Sequence, residues 1–497
     1  MIATALLALS IAGLDWHLPE KFAKVEGNVL TVDIPATNYP SSAMAWARVP
    51  RALWEGKGGV LYSVEAEGAR LAKPTQGYLG LKSQVHWRDG GADREEWKNV
   101  KSRIGDFART RLYTFGDFDG AKPDFAEVQI GLQSTSGRVT FDLSTFRIEP
   151  WRSLMVAQNP DRVVGYPTRV TGDIRRRGVM LPSGDPTEDD FRMLKEWGVT
   201  LVRYQMVRGW GRKNDNRDIA EYNRWVDSRL DVLERKVLPC ARRHGMKVVV
   251  DLHVAPGGRD DSGQMNMLAE PQYAEAFVDC WRRIATRFRG NADAIYGYDL
   301  INEPSQVEFC ECGYWDVQRK AAEVVRAIDP DTTIIIESNQ WDSPGAFFGL
   351  GALDMDNVIY QAHMYLPFEF THQGVNGMKR GFRYPDEKRG WNRDALVKIL
   401  APVRAFEKRH KAKIYIGEFS AITWAEGADR YIRDCISIFE EYGWDWTYHA
   451  FREWTGWSVE HEGPDADHLV PSADNPRKRA LLSGFKAAGA GAPPSVP

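Results

Sequence analysis

Two glutamates in this sequence have the setting that acid chemistry requires. Glu303 lies in Ile301-Asn302-Glu303-Pro304 and Glu418 in Ile416-Gly417-Glu418-Phe419. A carboxyl pair cleaves an acetal when one member is protonated and helps the leaving oxygen depart. The other must be ionised, to attack the anomeric carbon or to activate water. The surroundings must therefore drive the two acidities apart. Arg203 is a permanent cation and is expected to keep the nucleophilic carboxylate ionised. Tyr365 is expected to donate a hydrogen bond to the same group, and Asn302 to grip a sugar hydroxyl beside the attacked carbon. Gly417 removes a side chain just before Glu418 and is read as room for a sugar.

Those residues need a scaffold that gathers them. From Thr171 onward, apolar strand-like runs alternate with helical segments. The predicted strands are 178–181, 199–204, 247–252, 295–300, 333–336, 358–362, 413–416 and 446–450. The helices between them are 189–197, 225–244, 273–288, 316–328, 393–410 and 428–442. Continuous apolar runs such as Lys247-Val248-Val249-Val250 are what parallel strands buried on both faces look like. Eight such units predict a (β/α)8 TIM barrel, whose active sites sit at the C-terminal strand ends. The polar groups fall there: Arg203, Asp251 and His253, Asn302 and Glu303, Glu337, His363 and Tyr365, Glu418, and finally Trp454. A doubly wound sheet would need a glycine-rich phosphate turn, and neither GxGxxG nor GxxxxGK[ST] occurs.

The ordered set resembles glycoside hydrolase family 5, the cellulase-like family, over about residues 165–460. The matching pieces are Ile301-Asn302-Glu303-Pro304, His363-Met364-Tyr365 and Ile416-Gly417-Glu418-Phe419, with Arg203, His253 and Trp454 at the expected places. The resemblance implies retention of configuration, with Glu303 as acid/base and Glu418 as nucleophile. It further implies that Asn302 contacts the 2-hydroxyl, that Arg203 and Tyr365 support the nucleophile, and that Trp454 floors the sugar subsite beside the cut. Pro367–Gly374 also resembles a stretch of cellulase-like members. The approach Phe451-Arg452-Glu453-Trp454 departs from the plainer form of the family. No family role attaches to Glu337, which is read as subsite or structure. Trp210, Trp341, Tyr298, Trp315 and Trp457 are candidates to line a glycan cleft, with core packing as the alternative for each.

The first third reads as β. Runs at 30–34, 43–49, 60–66, 78–87, 109–115, 126–132 and 138–148 are mostly separated by Gly, Pro, Asp or Asn, which predicts an all-β sandwich. Gly131–Asp142 resembles the closing strands of jelly-roll carbohydrate-binding modules. Trp46, Trp54, Trp87 and Trp97 would then bind glycan by stacking or simply fill the core. The expected partition is a leader over 1–19, a sandwich over 20–155, a hydrolase barrel over 165–485, and a disordered Ala/Gly/Pro tail over 486–497. The apolar stretch Ile2–Gly13 resembles part of a secretion signal, so the expected location is secreted or periplasmic.

Composition removes other classes. The chain has 497 residues, 43% hydrophobic and 27% charged, with a net charge of -3. Nucleic-acid binders carry concentrated basic surface. Here the compact run Arg175–Arg177 is read as a solvated face or a domain join. Cys240, Cys280, Cys310, Cys312 and Cys435 make neither a disulfide framework nor a zinc spacing. No metal, no cofactor, no membrane and no nucleic acid is expected. The expected partner is a β-glucan or related plant polysaccharide, acted on by a monomer. The leading expectation is an endo-β-1,4-glucanase. A β-mannanase, xyloglucanase or β-glucosidase on the same scaffold is the enzyme alternative, and a catalytically silent glycan-binding protein the non-enzyme one.

Overall fold

The computed structural model describes residues 8–11, 13–53, 59–71, 78–89, 92–99, 107–117, 123–150, 175–182, 184–209, 216–260, 263–306, 310 and 313–486. Of the expected disordered tail Lys486 is helical and 487–497 lie outside them, as do Trp54, Trp210, Cys312 and the side chains of Trp87 and Trp97. The chain divides into two compact units. One comprises 1–157 with 257–274 and 306–313, and the other the remainder.

Among the described residues the first unit has eleven antiparallel strands where the sequence suggested seven. They are β1 (Ala8–Ile11), β2 (Leu14–His17), β3 (Ala23–Glu26), β4 (Val29–Ile34), β5 (Ser41–Val49), β6 (Gly59–Leu71), β7 (Tyr78–Asp89), β8 (Ala92–Asn99), β9 (Phe107–Asp117), β10 (Pro123–Thr135) and β11 (Gly137–Pro150). One sheet runs β1-β2-β5-β10-β7-β8 and the other β3-β4-β11-β6-β9. Their inner faces share one apolar core. In β5 the alternation of Ala43, Ala45, Ala47 and Val49 faces inward. Ile130 and Val128 of β10 meet Val139 and Phe141 of β11 in the same cluster, as expected for period-two strands with one buried face. The sandwich begins earlier than its expected boundary: Leu14 and Trp16 of β2 are already in its core. Trp46 is half-buried and stacks on His17, with ring centroids 3.9 Å apart.

The second unit is a closed parallel barrel of β12 (Arg177–Met180), β13 (Leu201–Gln205), β14 (Lys247–Asp251), β15 (Ile295–Asp299), β16 (Ile334–Glu337), β17 (Val358–Met364), β18 (Lys413–Phe419) and β19 (Asp445–Tyr448). The helices packed around it are α1 (Glu188–Trp197), α2 (Ile219–Val232), α3 (Leu238–His244), α4 (Pro271–Phe288), α5 (Tyr314–Ile328), α6 (Arg393–His410), α7 (Ala428–Tyr442) and α8 (Pro476–Lys486). Side-chain caps set the starts of α1, α2 and α6. Thr187 and Asp190 form a capping box at α1, and Asp218 accepts from Glu221 N at α2. The Asp218 cap explains why that helix begins six residues before the position read from apolar spacing.

The barrel interior is layered. Leu201, Val249, Tyr296, Ile335, Ile359 and Tyr415 fill one apolar layer. Its two phenols are satisfied internally, Tyr296 by Asp445 at 2.5 Å and Tyr415 by Thr447 at 2.6 Å. The arginine run is neither a solvated face nor a mere join. Arg177 is buried, and its guanidinium pairs with Glu440 of α7, while Arg175 bonds the Glu440 carbonyl at 2.8 Å. Cys240, Cys280, Cys310 and Cys435 are buried thiols, unbridged. Among the described residues no helix is long and apolar enough to cross a membrane.

Candidate active site

Arg203 organises the C-terminal mouth of the barrel. It lies on β13, is fully buried, and meets a carboxyl from four other strands. Nη1 donates to Glu418 Oε1 at 2.5 Å, and Nε to Asp299 Oδ2 at 3.0 Å. Nη2 lies 3.2 Å from Asp251 Oδ2 and 3.3 Å from Glu337 Oε1. One guanidinium cannot balance four ionised carboxylates out of water, so protons must be shared among them. Burial and the neighbouring Asp251 push Asp299 up to about 6, against the pull of Arg203. Burial, then Asp342 and Asp299, likewise drive Glu337 well above the usual carboxylate range.

Glu418 goes the other way. Burial opposes its charge, but the polar and cationic groups around it, His363, His449, Arg203 and His253, outweigh burial and hold its carboxyl well below the ordinary range. Tyr365 donates to Glu418 Oε2 at 2.8 Å. Burial, and then the Glu418 charge, raise that phenol, so it stays a protonated donor.

Glu303 approaches from β15. Its Oε1 lies 3.0 Å from His363 Nδ1, and His363 Nδ1 is in turn 3.8 Å from Glu418 Oε2. Ligating atoms of Glu303, His363 and Glu418 all fall within 4.8 Å of one another. Glu303 adopts φ +50°, a left-handed conformation that costs a non-glycine residue free energy. Its backbone N–H is held by Glu337 Oε2 at 2.6 Å. Asn302 accepts from Arg203 at 2.8 Å through Oδ1. That bond turns its amide nitrogen toward His253 Nε2, 3.4 Å away, while His253 Nδ1 lies 2.7 Å from Asp251. His253 is thus an orienting group: Nδ1–H donates to Asp251, and Nε2 receives Asn302.

Gly417 serves a purpose other than the one read from sequence. The register between β17 and β18 steps from Ala362–Ile416 to His363–Glu418, leaving Gly417 unopposed as a bulge. A Cβ there would meet the Gln361 side chain at 2.3 Å. The glycine makes room for Gln361, not for a sugar.

The aromatic candidates separate. Trp341 is 43% exposed and Trp454 38%, both on loops after barrel strands. Trp341 sits in a left-handed turn with Gln340 and Asp342, and its backbone N–H bonds Pro304 O at 3.0 Å. Trp454 packs edge-on against Trp424 and Trp457. Trp457, nearly buried, and His449, at the end of β19, each lie 6.1 Å from the Tyr365 ring. Trp454 is therefore one ring further out. Tyr298 is no cleft residue. It is fully buried, bonds Asp329 at 2.9 Å and packs on Trp281. Adjacent residues face opposite ways, so with Asp299 turned to Arg203, Tyr298 faces the helices, and the register step between Val248 and Val249 separates it from the inward Tyr296. Trp315, on α5, is half-buried.

Sequence reading overlooked Asp299, Gln361, Asp342, His449 and Glu453. A signal existed for the first of these. Asp251, Asp299 and Glu337 are the last residues of three consecutive strands, β14, β15 and β16. His449 and Glu453 form an ion pair at 2.6 Å. Burial works against the charged imidazole, but Glu453 and then Glu418 raise it to about 8. Among the described residues, the side-chain groupings close enough to hold a cation are Glu303–His363–Glu418 and Glu337–Asp342–His363, which share one imidazole.

A barrel with two acids from opposite sides of its mouth, one forced to stay ionised, defines the class of barrel glycosidases. The cellulase family model (glycosyl hydrolase family 5) matches residues 165–458, more than half of the chain, and the chain belongs to that family. Endoglucanase C of Acetivibrio thermocellus is 28% identical over 296 residues, covering 53% of this chain and 83% of its own length. Cellodextrinase A of Ruminococcus flavefaciens is 26% identical over 277 residues, covering 54% and 79%. A solved structure described as a glycoside hydrolase shares the fold, with a TM-score of 0.51 at 21% identity over 63% of this chain and 99% of its own.

Proposed function

We propose that this protein is a retaining endo-β-1,4-glucanase. The observation that carries the reading is the proximity of the two acids. Carboxylate oxygens of Glu303 and Glu418 lie within 4.8 Å. Retaining pairs stand about 5–5.5 Å apart, whereas inverting pairs leave roughly 6.5–9.5 Å for a water. In the first step a Glu418 oxygen attacks the anomeric carbon. The glycosidic bond breaks, and Glu303 gives its proton to the departing oxygen. In the second, Glu303 takes a proton from water, whose oxygen displaces Glu418 from the same carbon. Arg203 and Tyr365 keep Glu418 ionised and aimed. Asn302, turned by Arg203 and His253, is the group for the adjacent hydroxyl, and Trp341 and Trp454 offer exposed apolar rings to sugar faces.

Relatives named as an endoglucanase and a cellodextrinase favour β-1,4-glucan over mannan or xyloglucan. The sandwich is proposed as a glycan-binding module. Placing β10 between β5 and β7, and β11 between β4 and β6, divides consecutive strands between two sheets, as jelly rolls do. Export from the cytoplasm follows from a polymeric substrate. A product profile on carboxymethylcellulose, lichenan, mannan and xyloglucan tests the substrate reading. Mixed-length oligomers from the first two are expected. Release of glucose alone, or preference for mannan, would overturn it.

A further inference from the structure

Glu337 was left without a role by every motif, yet it is the side chain that reaches the Glu303 segment from two directions. Its Oε2 accepts the Glu303 N–H at 2.6 Å, bracing a residue held at φ +50°. Its Oε1 accepts from the Gln361 amide. The same Gln361 nitrogen lies 3.1 Å from His363 Nε2. An amide nitrogen only donates. With that nitrogen turned to Glu337, His363 Nε2 must be the acceptor, and the ring proton must sit on Nδ1. That proton points to Glu303 Oε1 at 3.0 Å. The bulge glycine, Gly417, is what lets Gln361 occupy this place. Asp342 completes the pocket. Its Oδ1 receives Ser338 N at 2.7 Å, and its Oδ2 stands 4.0 Å from His363 Nε2.

We propose that Glu337 is the positioning residue of the acid/base, holding the Glu303 backbone directly and selecting the Nδ1–H tautomer of His363 through Gln361. The bond from His363 then fixes the orientation of the Glu303 carboxyl. This rests on the proposed retaining mechanism; since Glu337 Oε1 also lies 3.3 Å from Arg203 Nη2, it predicts a defect larger in proton donation than in nucleophilic attack.

The test compares leaving groups. Cello-oligosaccharides need a proton on the departing oxygen, whereas 2,4-dinitrophenyl β-cellobioside leaves without one. For both, kcat/KM reports the first bond-breaking step. In Glu337→Gln, kcat/KM on cellotetraose is expected to fall about 100-fold, the lower end of what a general acid supplies. On the dinitrophenyl substrate the fall is expected to be about 10-fold or less. Gln361→Ala is expected to show the same pattern at smaller size, and it decides the matter should Glu337→Gln not fold. Equal losses on both substrates, or no loss on cellotetraose, would overturn the inference. Wild-type enzyme inert on the dinitrophenyl cellobioside would instead sink the glucanase reading beneath it.

Discussion

The interiors of the two units are built on opposite terms. Among its described residues the sandwich buries apolar side chains with only Ser63, Thr135 and Ser136 as polar company. The barrel buries Arg203, Asp251, Asp299 and Glu337, all without solvent exposure. Burying charge costs several kcal/mol per ion unless partners repay it, and apolar packing would close a cylinder equally well. Strand ends that carry ions in spite of that cost mark where the molecule does chemistry. The sandwich's interior is explained by stability alone.

The largest effect should come from Glu418→Ala. Loss of the proposed nucleophile lowers kcat/KM by about 10^4-fold or more, while Arg203 keeps Asp251, Asp299 and Glu337 as partners and the melting temperature holds. Turnover near wild type, measured on carboxymethylcellulose, would break the functional half of the comparison. Arg203→Met comes next. It leaves buried carboxyls unpaired and should destabilise the barrel by about 3–5 kcal/mol, read by urea unfolding. The midpoint should recover partly toward acid pH, where those carboxyls protonate. A flat pH response would mean that the charged interior is not under electrostatic load.

Ile130→Ala is the counterpart in the apolar interior. A cavity there should cost about 2–5 kcal/mol with no dependence on pH and no change in kcat. The smallest effect belongs to His449→Gln. A histidine raised from 6.5 to about 8 contributes stability that is complete below pH 6.5 and lost as pH rises through 8. The stability difference between wild type and variant should therefore shrink across that window, by at most about 2 kcal/mol. A gap that widens as pH rises would reverse the sign of the His449–Glu453 pairing.

Much of this organisation was readable in the chain. Runs such as Val248–Val250 and Ile334–Ile336 gave away parallel strands, because a strand covered on both faces has no reason to alternate. Glu303, Glu418, Arg203, Tyr365 and His363 stood out because polar groups at the ends of apolar runs have no packing explanation. Tyr298 misled, since its neighbour Asp299 takes the inward face and only the register around the closed cylinder says which of two adjacent residues that is. Gly417 misled for a related reason: a bulge depends on the partner strand. His449 and Glu453 went unremarked because nothing local distinguishes a buried ion pair from two surface residues.

Residue types and their order along the chain determined the barrel and its polar mouth and singled out the two proposed acids, since apolar periodicity and strand-end polarity are local properties. Only the folded structure decided that Glu418 keeps its charge while Asp299 and Glu337 are driven toward protonation. It also turned Gln361 toward both Glu337 and His363. Acidity and tautomer are set by burial and by fields across a few ångströms, between groups that lie far apart in the chain.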